Sequence, residues 1–244
     1  MRDILKDETY WAEYLETQER RIARFSAQAE LGSVAEYRQA HLLNLRVDKV
    51  YALYSSGAPV SALAREYALA LDVALALPTL IYGKLTWLLE MAVLLDVDIV
   101  STGQCALLRE KVDAGMQPND LDHLDSCGDD LWVGVLESYF SHNNCPVAEK
   151  RVLFPGNETF ATLVTEIQQV PVLEAERLIR SHMKVWYKLH RDYAWYDSHK
   201  NQNNIYAGYW AFDCAALAKL CGLSGAALWG IRFFPADLLP NGGR

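Results

Sequence analysis

The sequence predicts an all-α protein, an antiparallel helical bundle of about eight to ten helices arranged as two packed halves. Apolar residues recur at helical spacing along most of the chain. No segment shows the alternation of apolar and polar residues that marks a half-buried strand. Glycine and proline separate the periodic segments, as at Gly57, Pro59 and Gly115, and short connections of this kind favour antiparallel neighbours.

The helical periodicity divides the chain into successive elements. Ser33 and Glu36 form a capping-box pattern before the second helix, and Pro78 separates two almost wholly apolar helices that belong in the middle of a bundle. Residues 116–128 are rich in aspartate and contain Pro118, which predicts a junction between an N-terminal helical domain, 1–115, and a C-terminal helical domain, 116–244. The predicted helices cover residues 4–30, 33–56, 61–77, 79–95, 104–114, 129–140, 158–168, 172–193 and 205–220.

The composition is that of an ordinary globular protein, with 51% hydrophobic and 22% charged residues in a chain of 244. The N-terminus is charged and has no apolar core of the secretory type, so we expect a cytoplasmic protein. Charged residues and Pro78 interrupt the apolar stretch from Ala68 to Val100, which argues against a membrane span. Five cysteines at irregular spacing predict free thiols in a reducing compartment.

The negative charge is concentrated in one window of the sequence. Between Val112 and Glu149 there are eight acidic residues and neither lysine nor arginine. Because the whole chain has 31 acidic residues against 23 Lys and Arg, these eight equal the entire net charge of −8. A nucleic-acid-binding protein needs a basic surface to displace counterions, so direct binding of nucleic acid is not expected.

Three interpretations of this acidic window remain open. In the first, the aspartates are simply residues of a polar, solvated loop and N-caps of helices, because aspartate is common in both places. A calcium site is a second interpretation, but the segment lacks the glycine and glutamate positions of an EF-hand. The third is an electrostatic patch that docks a basic protein surface. The residues assigned to this hypothetical patch are Asp113, Asp120, Asp122, Asp125, Asp129, Asp130 and Glu137.

The sequence contains no recognisable catalytic motif, so we expect a protein that is not an enzyme and needs neither metal nor cofactor. His182 and His190 are eight residues apart on one predicted helix, about 12 Å along its axis, which is too far to share a metal ion. The alternative is a metal-dependent enzyme of unknown reaction that uses the aspartate cluster or the histidines. A further alternative is a module whose aromatic C-terminus forms a homodimer.

Aromatic residues are unusually dense in the C-terminal third of the chain. Helical spacing places Tyr206 and Trp210 on one face of the last predicted helix, and buried tyrosine and tryptophan need polar partners. Most of these residues are therefore expected in a core that polar side chains also enter. The motif residues are Trp186, Tyr187, Trp195, His199, Tyr209, Trp210, Phe212, Asp213, Pro235 and Asp237.

This pattern resembles the C-terminal domain of the PoNi family, the immunity proteins of PoNe-type DNase toxins. The resemblance lies in the W-Y-K run at Trp186–Lys188, the S-H-K run at Ser198–Lys200, the G-Y-W-x-F run from Gly208, and the Pro235–Leu238 terminus. Asp213 stands where the family usually has glutamate, and Phe234 where it usually has tyrosine. The N-terminal helices, including Tyr54–Gly57 and the run from Leu85 to Asp96, also resemble the family but less specifically.

The resemblance implies a bacterial antitoxin that binds and inhibits a cognate DNase delivered between cells, as by a type VI secretion system. A DNase presents a basic cleft to hold phosphates, so an acidic patch would occupy that cleft in place of DNA. The expected partner is therefore a basic toxin, with no membrane and no direct nucleic-acid contact.

Overall fold

Nine α-helices form the described part of the chain. The computed structural model describes residues 1–27, 35–116, 126–141 and 158–242, and these contain no β-strand, which confirms the predicted all-α class. In these described ranges, short 3₁₀ turns lie at Cys127–Asp129, Ser198–Lys200 and Ala236–Leu238. The helices are α1 (Glu8–Ser26), α2 (Ala35–Ser56), α3 (Val60–Ala76), α4 (Tyr82–Leu95), α5 (Gln104–Gly115), α6 (Leu131–Ser141), α7 (Glu158–Ile167), α8 (Val172–Leu189) and α9 (Phe212–Leu220).

Local chemistry explains where several helices begin and end. The Asp7 carboxylate accepts a hydrogen bond from the Tyr10 amide at 2.8 Å and so caps the first turn of α1. Gly57 ends α2 with a φ of +92°, and a Cβ there would lie 2.7 Å from the Met1 nitrogen. Pro59 then precedes α3, where its missing amide costs nothing. The predicted capping box at Ser33 lies outside the described residues.

The first of two structural units comprises Met1–Pro78 and His190–Trp210. Helix α2 packs against both α1 and α3. Ile22, Leu42 and Leu45 form a buried cluster, with Phe25 and Val73 packed against it.

The second unit comprises Thr79–Leu189 and Ala211–Arg244. Helix α4 lies at its centre and packs against α5, α6 and α9, while α8 packs against α7 and α9. Ten consecutive residues of α4, from Leu85 to Leu94, are buried, which agrees with its nearly uniform apolar sequence. The bounds of the two units differ from those of the predicted domains, 1–115 and 116–244. The two domains, and the packing of one against the other, stay a prediction.

The prediction of a helix from Ile205 was wrong, because α9 begins only at Phe212. The backbone from Ile205 to Ala211 is not helical, and Gly208 has a φ of +121°. A Cβ at Gly208 would lie 2.2 Å from the Ser55 hydroxyl, so this close approach requires glycine. The predicted extension of α8 to Tyr193 was also wrong, since that helix ends at Leu189 and His190 follows it.

The described cysteines are free thiols, in agreement with the sequence. Cys105, Cys127 and Cys214 are buried, and Cys221 is partly buried. Cys145 lies outside the described residues.

A buried carboxylate joins α2 to α3 in the first unit. Glu66, whose side chain is 4% exposed, accepts hydrogen bonds from Arg46 and Lys49 at 2.7 Å each. Lys49 also contacts Glu19 of α1 at 2.5 Å, but the Glu19 side chain is 59% exposed. Glu66 is therefore the anion that balances two largely buried cations.

We expect Glu66→Ala to lower the free energy of unfolding by about 3–5 kcal/mol, because it leaves buried cations without their carboxylate. Glu19→Ala is the matched control and should cost less than about 1 kcal/mol, since exposed ion pairs contribute little. Urea unfolding of both variants and the wild type measures the difference. Equal losses in the two variants would contradict the assignment.

Candidate functional site

The acidic window lies only partly within the structure. Asp120, Asp122 and Asp125 fall outside the described residues. The four described members of the predicted patch all belong to the second unit, on α5, on α6 and in the turn between them. They are Asp113, Asp129, Asp130 and Glu137.

Asp130 is a buried helix cap. Its carboxylate accepts hydrogen bonds from the backbone amides of Trp132 and Val133 at 2.9 and 3.0 Å, which satisfies the first turn of α6. The Tyr82 hydroxyl donates to the same carboxylate at 2.8 Å. Burial and the charge of Asp130 together hold the pKa of Tyr82 far above its ordinary value. These bonds place Asp130 in the structural framework of α6.

Glu137 pairs with a basic residue, Arg109, although the acidic window itself contains neither lysine nor arginine. Arg109 contacts both carboxylate oxygens, at 2.9 and 3.1 Å, and Cys105 donates its thiol hydrogen at 2.9 Å. Burial, followed by the neighbouring Glu137 carboxylate, raises the pKa of Cys105, so this thiol stays protonated. Arg109 lies only three positions before the window, and α5 brings it against α6.

Asp113 and Asp129 differ in how far they face solvent. Asp113 is partly buried and accepts a hydrogen bond from the Cys127 amide at 2.7 Å, which fixes the start of the 3₁₀ turn. Asp129 lies at the end of that turn and is exposed. Of the four described members of the patch, Asp129 thus presents the most accessible carboxylate.

The motif residues between His190 and Trp210 form an aromatic cluster in the first unit. The Tyr209 hydroxyl accepts a hydrogen bond from the His199 amide at 3.0 Å and lies 3.0 Å from Nδ1 of the same histidine. Trp195 packs against the Tyr209 ring with a centroid distance of 5.3 Å. Tyr209 is buried, whereas Trp195 and His199 are partly buried. Tyr209 therefore connects the 3₁₀ turn at Ser198–Lys200 to the non-helical segment from Ile205 to Ala211.

Residues of α1, α2 and the N-terminus fix this segment. The Tyr10 hydroxyl donates to the Tyr206 carbonyl at 2.8 Å and accepts from the Tyr206 amide at 3.0 Å. The Tyr206 hydroxyl donates to the Asp3 carboxylate at 2.5 Å. Ser55 accepts from the Trp210 indole at 2.8 Å. Sequence reasoning missed Asp3, Tyr10 and Ser55, because their partners lie more than 150 positions away.

The other motif residues lie in the second unit. Trp186, Phe212 and Pro235 are buried, and Tyr187, Asp213 and Asp237 are partly buried. The Tyr187 ring lies 5.3 Å from that of Phe233, and the 3₁₀ turn at Ala236–Leu238 begins directly after Pro235.

A buried glutamate, which the sequence showed only as an interruption of an apolar run, lies beside the motif residue Asp213. Glu90 of α4 accepts a hydrogen bond from the Trp132 indole at 2.9 Å. Burial raises the pKa of Glu90 to about 8, and the negative charge of Asp213 adds to the increase, while the bond from Trp132 opposes it. Glu90 is consequently protonated at neutral pH. A second negative charge, buried beside Asp213, would cost free energy.

Part of the chain matches a known family model. Residues 136–238 match the C-terminal domain of PoNe immunity proteins (PoNi). This match confirms the resemblance over residues 136–238. The resemblance of the N-terminal helices stays a prediction. No curated protein and no solved structure matches the chain.

Two further features concern the described residues. No helix among them combines the length and the apolar character needed to cross a membrane. In the same part of the chain, no three His, Cys, Asp or Glu side chains are grouped so that they could hold a metal ion.

Glu90 should make stability depend on pH. An unfolded glutamate ionises near pH 4.5, whereas folded Glu90 keeps its proton up to about pH 8. The unfolded state therefore binds fewer protons between these values, and the free energy of unfolding falls as pH rises. We expect a fall of a few kcal/mol from this residue, since one pKa unit is worth about 1.4 kcal/mol.

Glu90→Gln keeps an oxygen that accepts from Trp132 but cannot ionise, so its free energy of unfolding should change less between pH 5 and 8. Urea unfolding at several pH values measures both proteins, and Glu174→Gln on the surface of α8 is the control. Parallel pH profiles for Glu90→Gln and the wild type would show that Glu90 is ionised in the folded protein.

Proposed function

We propose that the chain is an immunity protein that binds and inhibits a PoNe-type DNase toxin. The observation that carries this proposal is the match of residues 136–238 to the C-terminal domain of PoNe immunity proteins. The protein then acts by stoichiometric binding in the bacterial cytoplasm and catalyses no reaction. Delivery of the toxin between cells by a type VI secretion system belongs to the same proposal.

The proposed mode of inhibition is electrostatic. A DNase cleft is lined with cations that hold phosphates, so it attracts a surface that carries carboxylates. The eight acidic residues between Val112 and Glu149 supply such charge, and opposite charge speeds association and fixes orientation.

The contacts of the described acidic residues refine which of them would meet the toxin. Asp130 is buried as a helix cap, and Glu137 is paired with Arg109, so neither offers a free carboxylate. Asp129 is exposed, and Asp113 is partly so. The proposed contact therefore centres on Asp129 and Asp113, together with Asp120, Asp122 and Asp125, which lie outside the described residues.

The first experiment measures DNA cleavage by a purified cognate PoNe-type nuclease domain, with increasing amounts of this chain. We expect cleavage to stop at a fixed molar ratio, because a stoichiometric inhibitor titrates its target. Bovine DNase I, an unrelated nuclease, serves as the control and should stay active. Unchanged cleavage by the cognate nuclease at a large molar excess of the chain would refute the proposal.

The second experiment tests the acidic contact. Asp122, Asp125 and Asp129 changed together to lysine should slow association with the toxin by at least about tenfold at low salt, because the attraction becomes repulsion. Stopped-flow or surface-based kinetics at two salt concentrations measure the rate. The matched control changes Glu13, Glu16 and Asp72, all exposed in the first unit, to lysine, which alters the net charge equally.

The control should keep most of the association rate, and both variants should keep the wild-type melting temperature. If the two triple variants slow association equally, net charge alone is responsible. If the first triple variant protects cells that express the toxin as well as the wild type does, the window is only a solvated loop.

A further inference from the structure

A pocket with a basic rim lies in the second unit, apart from the acidic window in the sequence. It has a volume of about 480 Å³ and is formed by α8 and the turn at residues 231–233. This volume lies within the range of sites that hold a small ligand or a few residues of a peptide. None of the described residues that line it is acidic.

Four cations surround the pocket in a chain whose net charge is −8. Arg180, Lys184 and Lys188 lie at intervals of four on α8 and so share one face, and Arg232 comes from the turn. Arg180 is occupied, since it pairs with Glu176 at 2.8 Å and donates to the Ala227 carbonyl.

The other three cations are available to a ligand. Among the residues that the structure describes, Lys184, Lys188 and Arg232 form no ion pair. The Arg232 guanidinium lies 4.5 Å from the centre of the Phe233 ring, which holds it at the pocket without neutralising it.

The pocket also has an apolar wall, and one of its residues is strained. The rings of Tyr187 and Phe233 lie 5.3 Å apart, and Met183 lies beside them. Phe233 has a φ of +64°, in the left-handed region, which costs a bulky side chain roughly 1–2 kcal/mol. The Ala211 amide donates to the Phe233 carbonyl at 2.9 Å and helps to keep this conformation. Residues with such strained backbone conformations cluster at functional sites, including ligand-binding sites.

We propose that this pocket binds an acidic segment of a protein partner, with carboxylates on either side of one aliphatic side chain. Lys184 and Lys188 are one helical turn apart, about 6 Å along the axis. Carboxylates at alternate positions of an extended peptide are about 7 Å apart, so they match this spacing. Successive side chains of an extended peptide point to opposite faces, so the aliphatic side chain between the two carboxylates would face away from α8 and meet Phe233 of the turn at residues 231–233. The inference requires no toxin and stands apart from the proposed function.

The chemistry of the pocket favours such a segment over other anions. Phosphate alone leaves the wall of Tyr187, Met183 and Phe233 unused. Duplex DNA binds by many simultaneous phosphate contacts, and three available cations on an acidic protein provide few. A short acidic peptide uses both the cations and the wall.

The test uses Met183 as a reporter, because the chain contains only four methionines and this one lines the pocket. The full chain is labelled with ¹³C at the methionine methyl groups and titrated with the blocked peptide Ala-Glu-Leu-Glu-Ala. We expect a saturable shift of the Met183 signal, with no shift of Met91, which is buried on α4. Higher salt should weaken the binding.

Three other ligands decide the identity of the occupant. The same peptide with glutamine for glutamate tests charge, inorganic phosphate at equal ionic strength tests a bare anion, and a short DNA duplex tests nucleic acid. We expect each to shift Met183 less than the acidic peptide does. An equal or larger shift with any of them, or no shift with the acidic peptide, would overturn the proposal.

Charge reversal locates the binding site. Lys184→Glu and Lys188→Glu should each raise the Kd of the peptide at least about tenfold, the equivalent of roughly 1.4 kcal/mol. Arg177→Glu is the control, since Arg177 lies on the same helix, is exposed and does not line the pocket. Its Kd should stay within about twofold of the wild type. Lys184→Gln and Lys188→Gln should give smaller increases, and wild-type binding by all four lysine variants would refute the site.

Discussion

Two side-chain hydroxyl groups hold the non-helical segment from Ile205 to Ala211, and the aromatic cluster of the first unit depends on them. A backbone outside both helix and sheet lacks their regular hydrogen bonds, and its buried polar groups need other partners. Tyr10 bonds to both the amide and the carbonyl of Tyr206. Ser55 donates to the Ala207 carbonyl and accepts from the Trp210 indole. Each hydroxyl thus acts as both donor and acceptor, so its loss would leave two buried or partly buried groups without a partner.

This arrangement explains why the sequence predicted the helices well and the non-helical segment from Ile205 to Ala211 poorly. Each helix presents its apolar period locally, and prolines or glycines mark its ends, so neighbouring residues suffice to predict it. Tyr206 and Trp210 also have helical spacing, but their partners, Tyr10 and Ser55, are 196 and 155 positions away. Such distant contacts override local periodicity, and only Gly208 gave a local indication of the break.

The acidic window shows a similar limit for the candidate site. Its charge was evident from composition, but the surroundings of Asp130 and Glu137 include residues outside the window. Tyr82 and the amides at the start of α6 occupy Asp130, and Arg109 occupies Glu137. Helix capping and electrostatic docking were alternative interpretations of the whole window. The structure assigns capping to Asp130, while the exposure of Asp129 leaves docking as a proposal.

The proposed function requires the second unit to attract a DNA-binding enzyme without itself binding DNA. Carboxylates at Asp129 and Asp113 would meet both requirements, because they attract a basic cleft and repel phosphates. The basic pocket does not reverse this effect, since three available cations neutralise few phosphates, and non-specific affinity depends on the number neutralised. If a partner used both regions, opposite charges would fix its orientation, because rotation would bring like charges together at both.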